Sequence, residues 1–427
     1  MKTKGGKKSE VAKKPKKAMK NASGLKGYLE GNTLYVSIPH KTIDSSNITK
    51  FDKQLEDIIK HKQKWDIVFD MEKVEACSSS VLRRMVMLKN AGYNIKIINA
   101  GRKLYDIFAV VGFDKIVHIG TKKLNINTKN MKQFAEGGNG KIYEFTRDEI
   151  LKIYYDFQSE EKIERGMHNA KLAFTKGLPV AIPYASVKTD QGIGIIYEKV
   201  TGKSLAATMH NNKKYFDTGA REMTKLCLQL ATTHFGDEEL TNVKLGFVNG
   251  LDPIAKFLPP HYVDAYNIAI EMLPETDTAV HGDFHAKNIM LEGNELLLID
   301  VDDFGSGHPI WDVGSMYTAY KFLSDKGDED ETFAMVGMNV GEAARVWDIF
   351  CEEYFKGVGK RETQRRINAA SWYGAIRTAK LYANRFELTT MKDPTTKFVV
   401  EMVKQLLDFS VMEHLWEMVE IFKTWKD

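Results

Sequence analysis

HGDFHAKN (281–288) is followed by the apolar run LLLID (296–300) and then by VDDFG (301–305), and the reading of this stretch decides how the remainder of the chain is read. Asp283 and Asn288 stand five apart in a polar loop, while Asp300 ends a run apolar enough to be a core strand that holds it beside that loop. Phosphoryl transfer from ATP needs a carboxylate that orients or deprotonates the acceptor hydroxyl, and oxygen ligands that hold magnesium against the phosphates. Asp283 suits the first task, and Asn288 with Asp300 suits the second, since magnesium prefers hard oxygen donors. Two other readings stay open at this point. His, Asp and Asn can cluster in any polar loop before a core strand. His281, Asp283 and His285, with Asp300, Asp302 and Asp303, could instead form a metal-dependent hydrolase site. A hydrolase needs no nucleotide lobe, so the test lies upstream.

Upstream, GGNGKIYEF (137–145) is a glycine-rich turn between strand-like flanks, in which Gly137, Gly138 and Gly140 would let backbone amides approach phosphates. The same four residues are also good hairpin chemistry. ILKIYY (150–155) puts Lys152 on the next strand, where an inward lysine could meet the α- and β-phosphates. GIGIIYEKVTGKSL (192–205) reads as a strand running into a connection, the place where the backbone of Glu198 to Val200 would meet adenine. The order and spacing of these three segments favour the nucleotide reading.

Taken together, residues from about 134 to 322 resemble the aminoglycoside phosphotransferases and related small-molecule kinases, whose H-G-D-x-H-x-x-N loop and I-D-x-D-D segment are matched by HGDFHAKN and IDVDDFGSGHPIWDVG. The resemblance implies an ATP- and magnesium-dependent phosphotransferase (kinase) with an alcohol group as acceptor. Asp283 would be the catalytic base, His281 a support of the loop, Asn288 and Asp300 the magnesium ligands, and Asp312 a brace beneath the loop. It also implies a glutamate on the helix after the lysine strand, about three turns before GLPVAIP (177–183), where this chain has Gly166. Glu164 is the nearest acid and Glu161 the next; two positions are about 200° of helix, so Glu164 reaches Lys152 only if the helix is rotated. Asp302 and Asp303 are either part of the metal or acceptor site or a solvated acidic turn. Asp325, Asp328, Glu329, Asp330 and Glu331 would suit a cationic, aminoglycoside-like acceptor, and a solvated loop explains them equally; a sugar-like acceptor is the other expectation.

Between Gly27 and Ile119 the pattern changes. LYVSI (34–38), WDIVFD (65–70), YNIKIIN (93–99) and IVHI (116–119) read as strands. Ile48, Phe51, Leu55 and Ile58, then Val81, Leu82, Met85 and Leu88, then Leu104, Ile107, Phe108 and Val111 recur at helical spacing. The alternation implies a small α/β domain. IVFDMEKVEACSSSVLRRMVMLKNAG (67–92) resembles a STAS domain, the module of sulphate transporters and anti-sigma factor antagonists. That resemblance implies a protein partner and a regulatory phosphosite among Ser78, Ser79 and Ser80, where a phosphate would sit well at a helix start and badly in an apolar contact. A plain helix cap is the other reading of these serines.

A chain of 427 residues is too long for one core. Hydrophobic residues at 43% and charged residues at 28% are the balance of a globular protein, and no apolar run approaches membrane-spanning length. No secretory signal is evident, and Cys77, Cys227 and Cys351 show no paired spacing, so the expected location is the cytoplasm. The net charge of +4 comes from residues 1–26, with ten lysines and one acid; the rest has 51 basic against 56 acidic residues, a balance of −5. The tail could touch nucleic acid or lipid, and a solvated, disordered segment is the expectation. The expected organisation is a Lys-rich tail (1–26), a STAS-like domain (27–120), a linker (121–130), a nucleotide lobe (131–200) and a helical lobe carrying the catalytic loop (201–427). The fold class is thus an α/β STAS-like domain followed by an α+β bilobal protein-kinase-like fold. The alternative is a regulatory partner-switching protein in which the kinase-like region is a sensor or phosphorylates the serines of its own STAS module.

Overall fold

The computed structural model describes residues 17–19, 25–43, 48–59, 66–110, 112–121, 124–156, 158–236, 240–408 and 415–425. The chain divides into two compact units, Met1–Asn125 and Ile126–Asp427. In the first, Thr33–Ser37, Asp66–Asp70, Asn94–Ala100 and His118–Thr121 lie parallel in that order. Lys26–Glu30 flanks them antiparallel. Parallel neighbours need crossovers, supplied by the helices Ile48–Ile59, Ser79–Asn90 and Arg102–Val110. Alternation on the strands and helical spacing on the crossovers send Leu34, Val36, Ile67, Phe69, Phe51, Leu55, Val81, Met85, Leu104 and Phe108 into one core. Trp65 and Val111, assigned above to a strand and a helix, lie outside the described residues.

Most of the basic tail also lies outside the described residues. Its residues Lys17–Met19 do not follow the expectation of a solvated segment, for they pair antiparallel with Gly27–Leu29. At the start of the helix Ser79–Asn90, Ser78 occupies the cap position without capping, and its hydroxyl is buried with no partner among the described residues. Ser80 is exposed, and the side chain of Ser79 is not described.

The second unit opens on an antiparallel sheet, ordered Gln133–Glu136, Gly140–Glu144, Glu149–Tyr154, Gly192–Glu198 and Pro183–Thr189. Of the stretch 121–130, expected above as a linker, residues 122–123 lie outside the described residues and Leu124–Ile126 form a short strand. Thr128 is buried, and its N–H and hydroxyl both donate to Asp190 at 2.8 and 2.7 Å. The helix Glu160–Thr175 starts on the Ser159 cap and buries a face of small residues, Gly166, Asn169, Ala170 and Ala173. From Leu205 the chain is mainly helical around one large core, interrupted by the hairpin Ile289–Glu292 and Glu295–Leu298. Among the described residues no helix is long and apolar enough to cross a membrane.

Candidate active site

The loop 281–288 is held from below by buried groups. Asp312 lies in the first turn of the helix Ile310–Met316, and its two carboxylate oxygens accept from the N–H groups of His281 (2.8 Å) and Gly282 (2.9 Å). Burial pushes the Asp312 carboxyl up, and these bonds only partly offset it. Both nitrogens of His281 are engaged: Nδ1 accepts from the Asp283 N–H at 3.2 Å, and Nε2–H donates to the Ile299 carbonyl at 3.1 Å. That pattern fixes a neutral tautomer and leaves His281 no lone pair for a metal, which removes it from the hydrolase reading. Tyr320 accepts from the Ala286 N–H at 2.8 Å; it lies in a π-helical stretch, Tyr317–Phe322, that continues the helix carrying Asp312.

Asp283 faces a cation that the sequence reading does not single out. Arg377, in the long helix Lys360–Arg385, places Nη2 2.6 Å from Asp283 Oδ1 and Nε 2.7 Å from the Gly282 carbonyl. The other carboxylate oxygen meets Asn288 Nδ2 at 3.2 Å and His285 Nε2 at 3.6 Å. Burial alone would raise the carboxyl, but the Arg377 guanidinium and then His285 hold it well below the usual carboxylate range. Asn288 spends its amide nitrogen on Asp283, which leaves its carbonyl oxygen as the donor atom for a cation.

Lys152 is buried, and its ammonium lies 2.6 Å from both Asp300 Oδ1 and Asp302 Oδ2. Burial pulls its affinity for a proton down, and the two carboxylates outweigh that and hold it charged. Burial likewise pushes Asp300 up, and Lys152 brings it below its ordinary value. Asp300 adopts φ 57°, a left-handed backbone that aspartate tolerates better than most residues.

The expected glutamate partner of Lys152 is thereby replaced. The Lys152 ion pairs go to Asp300 and Asp302, not to Glu164. The reason is steric as well as angular: a Cβ on Gly166 would sit 3.2 Å from the Asp302 carbonyl oxygen, so the helix passes the 302–304 segment too closely for a long side chain. Asn169 Nδ2 donates to the Phe304 carbonyl at 2.8 Å on the same face. Asp302 is no solvated turn residue, since Tyr154 donates to it at 2.7 Å and Asn139 at 3.1 Å. Asp303 is half-exposed and pairs with Lys162 at 3.0 Å.

The glycine-rich turn is a hairpin, and its glycines differ. At Gly140 a Cβ would fall 2.1 Å from the Ile153 carbonyl oxygen, so this position needs glycine for strand packing rather than for phosphate approach; Gly137 and Gly138 are open. In the expected hinge, the Glu198 N–H donates to the Ile182 carbonyl (3.0 Å) and the Lys199 N–H to the Asp148 carbonyl (2.9 Å). The Glu198 carboxylate accepts from the Ile182 N–H at 2.7 Å. The amide of Val200 has no partner among the described residues.

The acidic segment 325–331 does not form a receptor for a cation. Asp325 pairs with Lys321, Glu331 pairs with Lys326, Asp328 caps the helix Glu329–Val336, and Glu329 accepts from the Val340 N–H. Beside the catalytic loop a cleft of about 430 Å³ is lined by Gly282, Asp302, Asp303, Lys162, Arg165, Arg377 and Lys380, among others. Among the described residues no three His, Cys, Asp or Glu side chains group as a metal-ion site. The oxygens of Asn288, Asp300 and Asp302 still suit magnesium, which takes one or two carboxylates and completes its shell with phosphates and water.

Residues 130–337, just under half of the chain, match the family described as Phosphotransferase enzyme family. No curated protein matches the sequence at a significant level. Among solved structures, the chain is similar to an amicoumacin kinase in complex with AMP-PNP, calcium and Ami: 17% identity, 72% of this chain and 95% of that chain covered, TM-score 0.45. It is similar to an aminoglycoside phosphotransferase in complex with gentamicin at 16% identity, with 68% and 93% covered and a TM-score of 0.44. A choline/ethanolamine kinase family protein from Mesorhizobium loti gives 14% identity, 70% and 93% coverage and a TM-score of 0.42.

Proposed function

We propose, from the premise that residues 130–337 form a phosphotransferase domain with an alcohol group as acceptor, that this chain moves the γ-phosphoryl group of ATP to a hydroxyl of a small molecule, with Asp283 as the base. The observation that carries the reading is the meeting, in one place, of the buried Lys152 from the sheet with Asp300 and Asp302 from the segment after the catalytic loop. A buried lysine between two carboxylates is costly to maintain for structure alone, and it is what a site for phosphates and a cation requires.

In this reading the acceptor oxygen attacks the γ-phosphorus as its proton passes to Asp283, the bond to the β–γ bridging oxygen breaks, and ADP leaves. Asn288, Asp300 and Asp302 would hold magnesium, which supplies neutralisation of charge on the phosphates. Lys152 would leave the carboxylates for the α- and β-phosphates, and Gly137, Gly138 and the Val200 amide are the groups left to meet phosphate and adenine. His281 and Asp312 fix the loop, and Arg377 aims the base.

The first unit, a parallel sheet with three crossover helices, is read as a STAS-like regulatory module that meets a protein partner. Among the described serine side chains of that run, Ser80 is exposed and the Ser78 hydroxyl is buried, so Ser80 is the better acceptor of the two. Three free cysteines fit work in the cytoplasm. The test is calorimetric titration of AMP-PNP with magnesium into the whole chain and into Lys152→Met. Saturable binding weakened by the substitution supports the reading, and absence of binding to the parent removes it.

A further inference from the structure

The cleft beside the catalytic loop has the wrong charge for a cationic acceptor. Its lining contains four cationic side chains, Lys162, Arg165, Arg377 and Lys380, against two carboxylates, Asp302 and Asp303. Both carboxylates are already committed, Asp302 to Lys152 at 2.6 Å and Asp303 to Lys162 at 3.0 Å. Arg377 is committed to Asp283. Arg165 and Lys380 remain, and neither has an ion pair or a hydrogen-bond acceptor for its charge among the described residues.

Lys380 is the more telling of the two. It is one helical turn from Arg377, its ammonium lies 4.4 Å from the Phe247 ring, and it makes no ion pair among the described residues. Burial pulls its proton affinity down, the Asp303 carboxylate opposes this only in part, and the nearby Lys162 and Arg377 charges add to the lowering. Lys380 is partly buried, and cations drawn out of water are normally paired, since desolvating an unpaired one is expensive. None of Gly137, Gly138, Lys152, Glu198 or Val200 lines this cleft, so its spare positive charge is not accounted for by the nucleotide residues.

We infer that the acceptor is a hydroxyl compound bearing an anionic group, a phosphate or a carboxylate, held by Arg165 and Lys380 while its hydroxyl is presented to Asp283. The inference rests on the phosphotransferase reading for the role of Asp283, and adds the class of acceptor. The chemistry is unchanged: the hydroxyl oxygen forms the new bond to phosphorus, its proton goes to Asp283, and ADP departs. The fork of Arg165 and the point charge of Lys380 together suit an oxyanion better than a neutral polyol.

The test is calorimetric titration of glycerol 3-phosphate, glycerate, inorganic phosphate, glycerol and kanamycin into the whole chain, with AMP-PNP and magnesium present and again without them. Anions should bind at least about tenfold more tightly than glycerol or kanamycin, and Arg165→Ala and Lys380→Met should each remove at least about fivefold of that affinity. Arg165 is exposed, so its substitution tests the cleft without disturbing packing. The inference is overturned if no anion binds, if glycerol or kanamycin binds as tightly, or if both variants bind anions like the parent. Failure of AMP-PNP to bind would sink the phosphotransferase reading separately, and the nucleotide-free titrations would still judge the cleft.

Discussion

Arg377 and Asp283 form a 2.6 Å ion pair that joins the long helix Lys360–Arg385 to the loop 281–288, and a second bond from the same guanidinium reaches the Gly282 carbonyl at 2.7 Å. A two-point clamp of this kind fixes the direction of the carboxylate as well as its charge. The Asp283 carboxylate is thus oriented from a segment beyond the matched residues 130–337.

Replacing Arg377 by Met should introduce an acid limb into the pH profile of turnover. In the parent the Asp283 carboxyl is held below its ordinary range, so it stays ionised throughout the usual assay range. Its stabilising contribution is complete above the unfolded-state value of about 4 and is lost only as pH falls through the depressed folded value. Without the guanidinium, burial dominates and the carboxyl titrates higher, so kcat/KM should fall as the solution is taken from neutral to mildly acidic in the variant while the parent stays level. Arg377→Lys restores charge but not the fork, and should recover the pH profile more than kcat.

Lys152→Met should lower stability by about 3–5 kcal/mol at neutral pH, because it strands the largely buried Asp302 carboxylate beside Asp300. The pH dependence changes sign. In the parent the depressed Asp300 contributes stability that is lost on acidification, whereas in the variant burial raises the Asp300 carboxyl and acidification restores stability. Magnesium should raise the Tm of the variant more than that of the parent, as read by thermal melting with and without chelator.

Asp312→Ala should cost about 2–5 kcal/mol, since two buried loop amides lose their acceptor at once. Denaturant titration measures the loss, and turnover should fall further than nucleotide affinity, because the loop carries the base.

Gly140→Ala and Gly137→Ala should behave oppositely although they sit in one turn. The first puts a Cβ 2.1 Å from the Ile153 carbonyl oxygen and must push neighbouring strands away from each other, whereas the second meets nothing within 4 Å. A melting-temperature drop confined to Gly140→Ala is expected, with Gly137→Ala within about 1 kcal/mol of the parent.

Much of the fold and the core of the site are legible in the amino-acid order alone, for identifiable reasons. The 3.6- and 2-residue periods of the first unit show because each element buries one face, and Lys152, Asp283, Asn288 and Asp300 stand in short, ordered motifs that the structure brings into contact in pairs, Lys152 with Asp300 and Asn288 with Asp283. Contacts between distant segments are not legible in this way. The spacing of Arg377 and Lys380 does place them on one helical face bordering the buried Tyr373 and Ile376, a visible oddity, but nothing local says that Asp283 lies opposite. The partner of Lys152 is hidden for the same reason. Register along one helix points to an acid there, while the close approach allowed by Gly166 lets Asp302 supply it from another segment. The acidic run 325–331 resembles a receptor because its composition hides the caps and local pairs that consume it.

The most direct measurement follows phosphoryl label from γ-labelled ATP with magnesium into a panel of neutral, anionic and cationic hydroxyl acceptors, for the parent and for Asp283→Asn. The predicted result is a labelled acceptor with the parent and at least about a hundredfold slower labelling with the variant, because removal of the base takes away proton transfer while the fold and nucleotide residues remain. Equal labelling by both proteins, or release of label only to water in a zinc-dependent manner, would contradict the account.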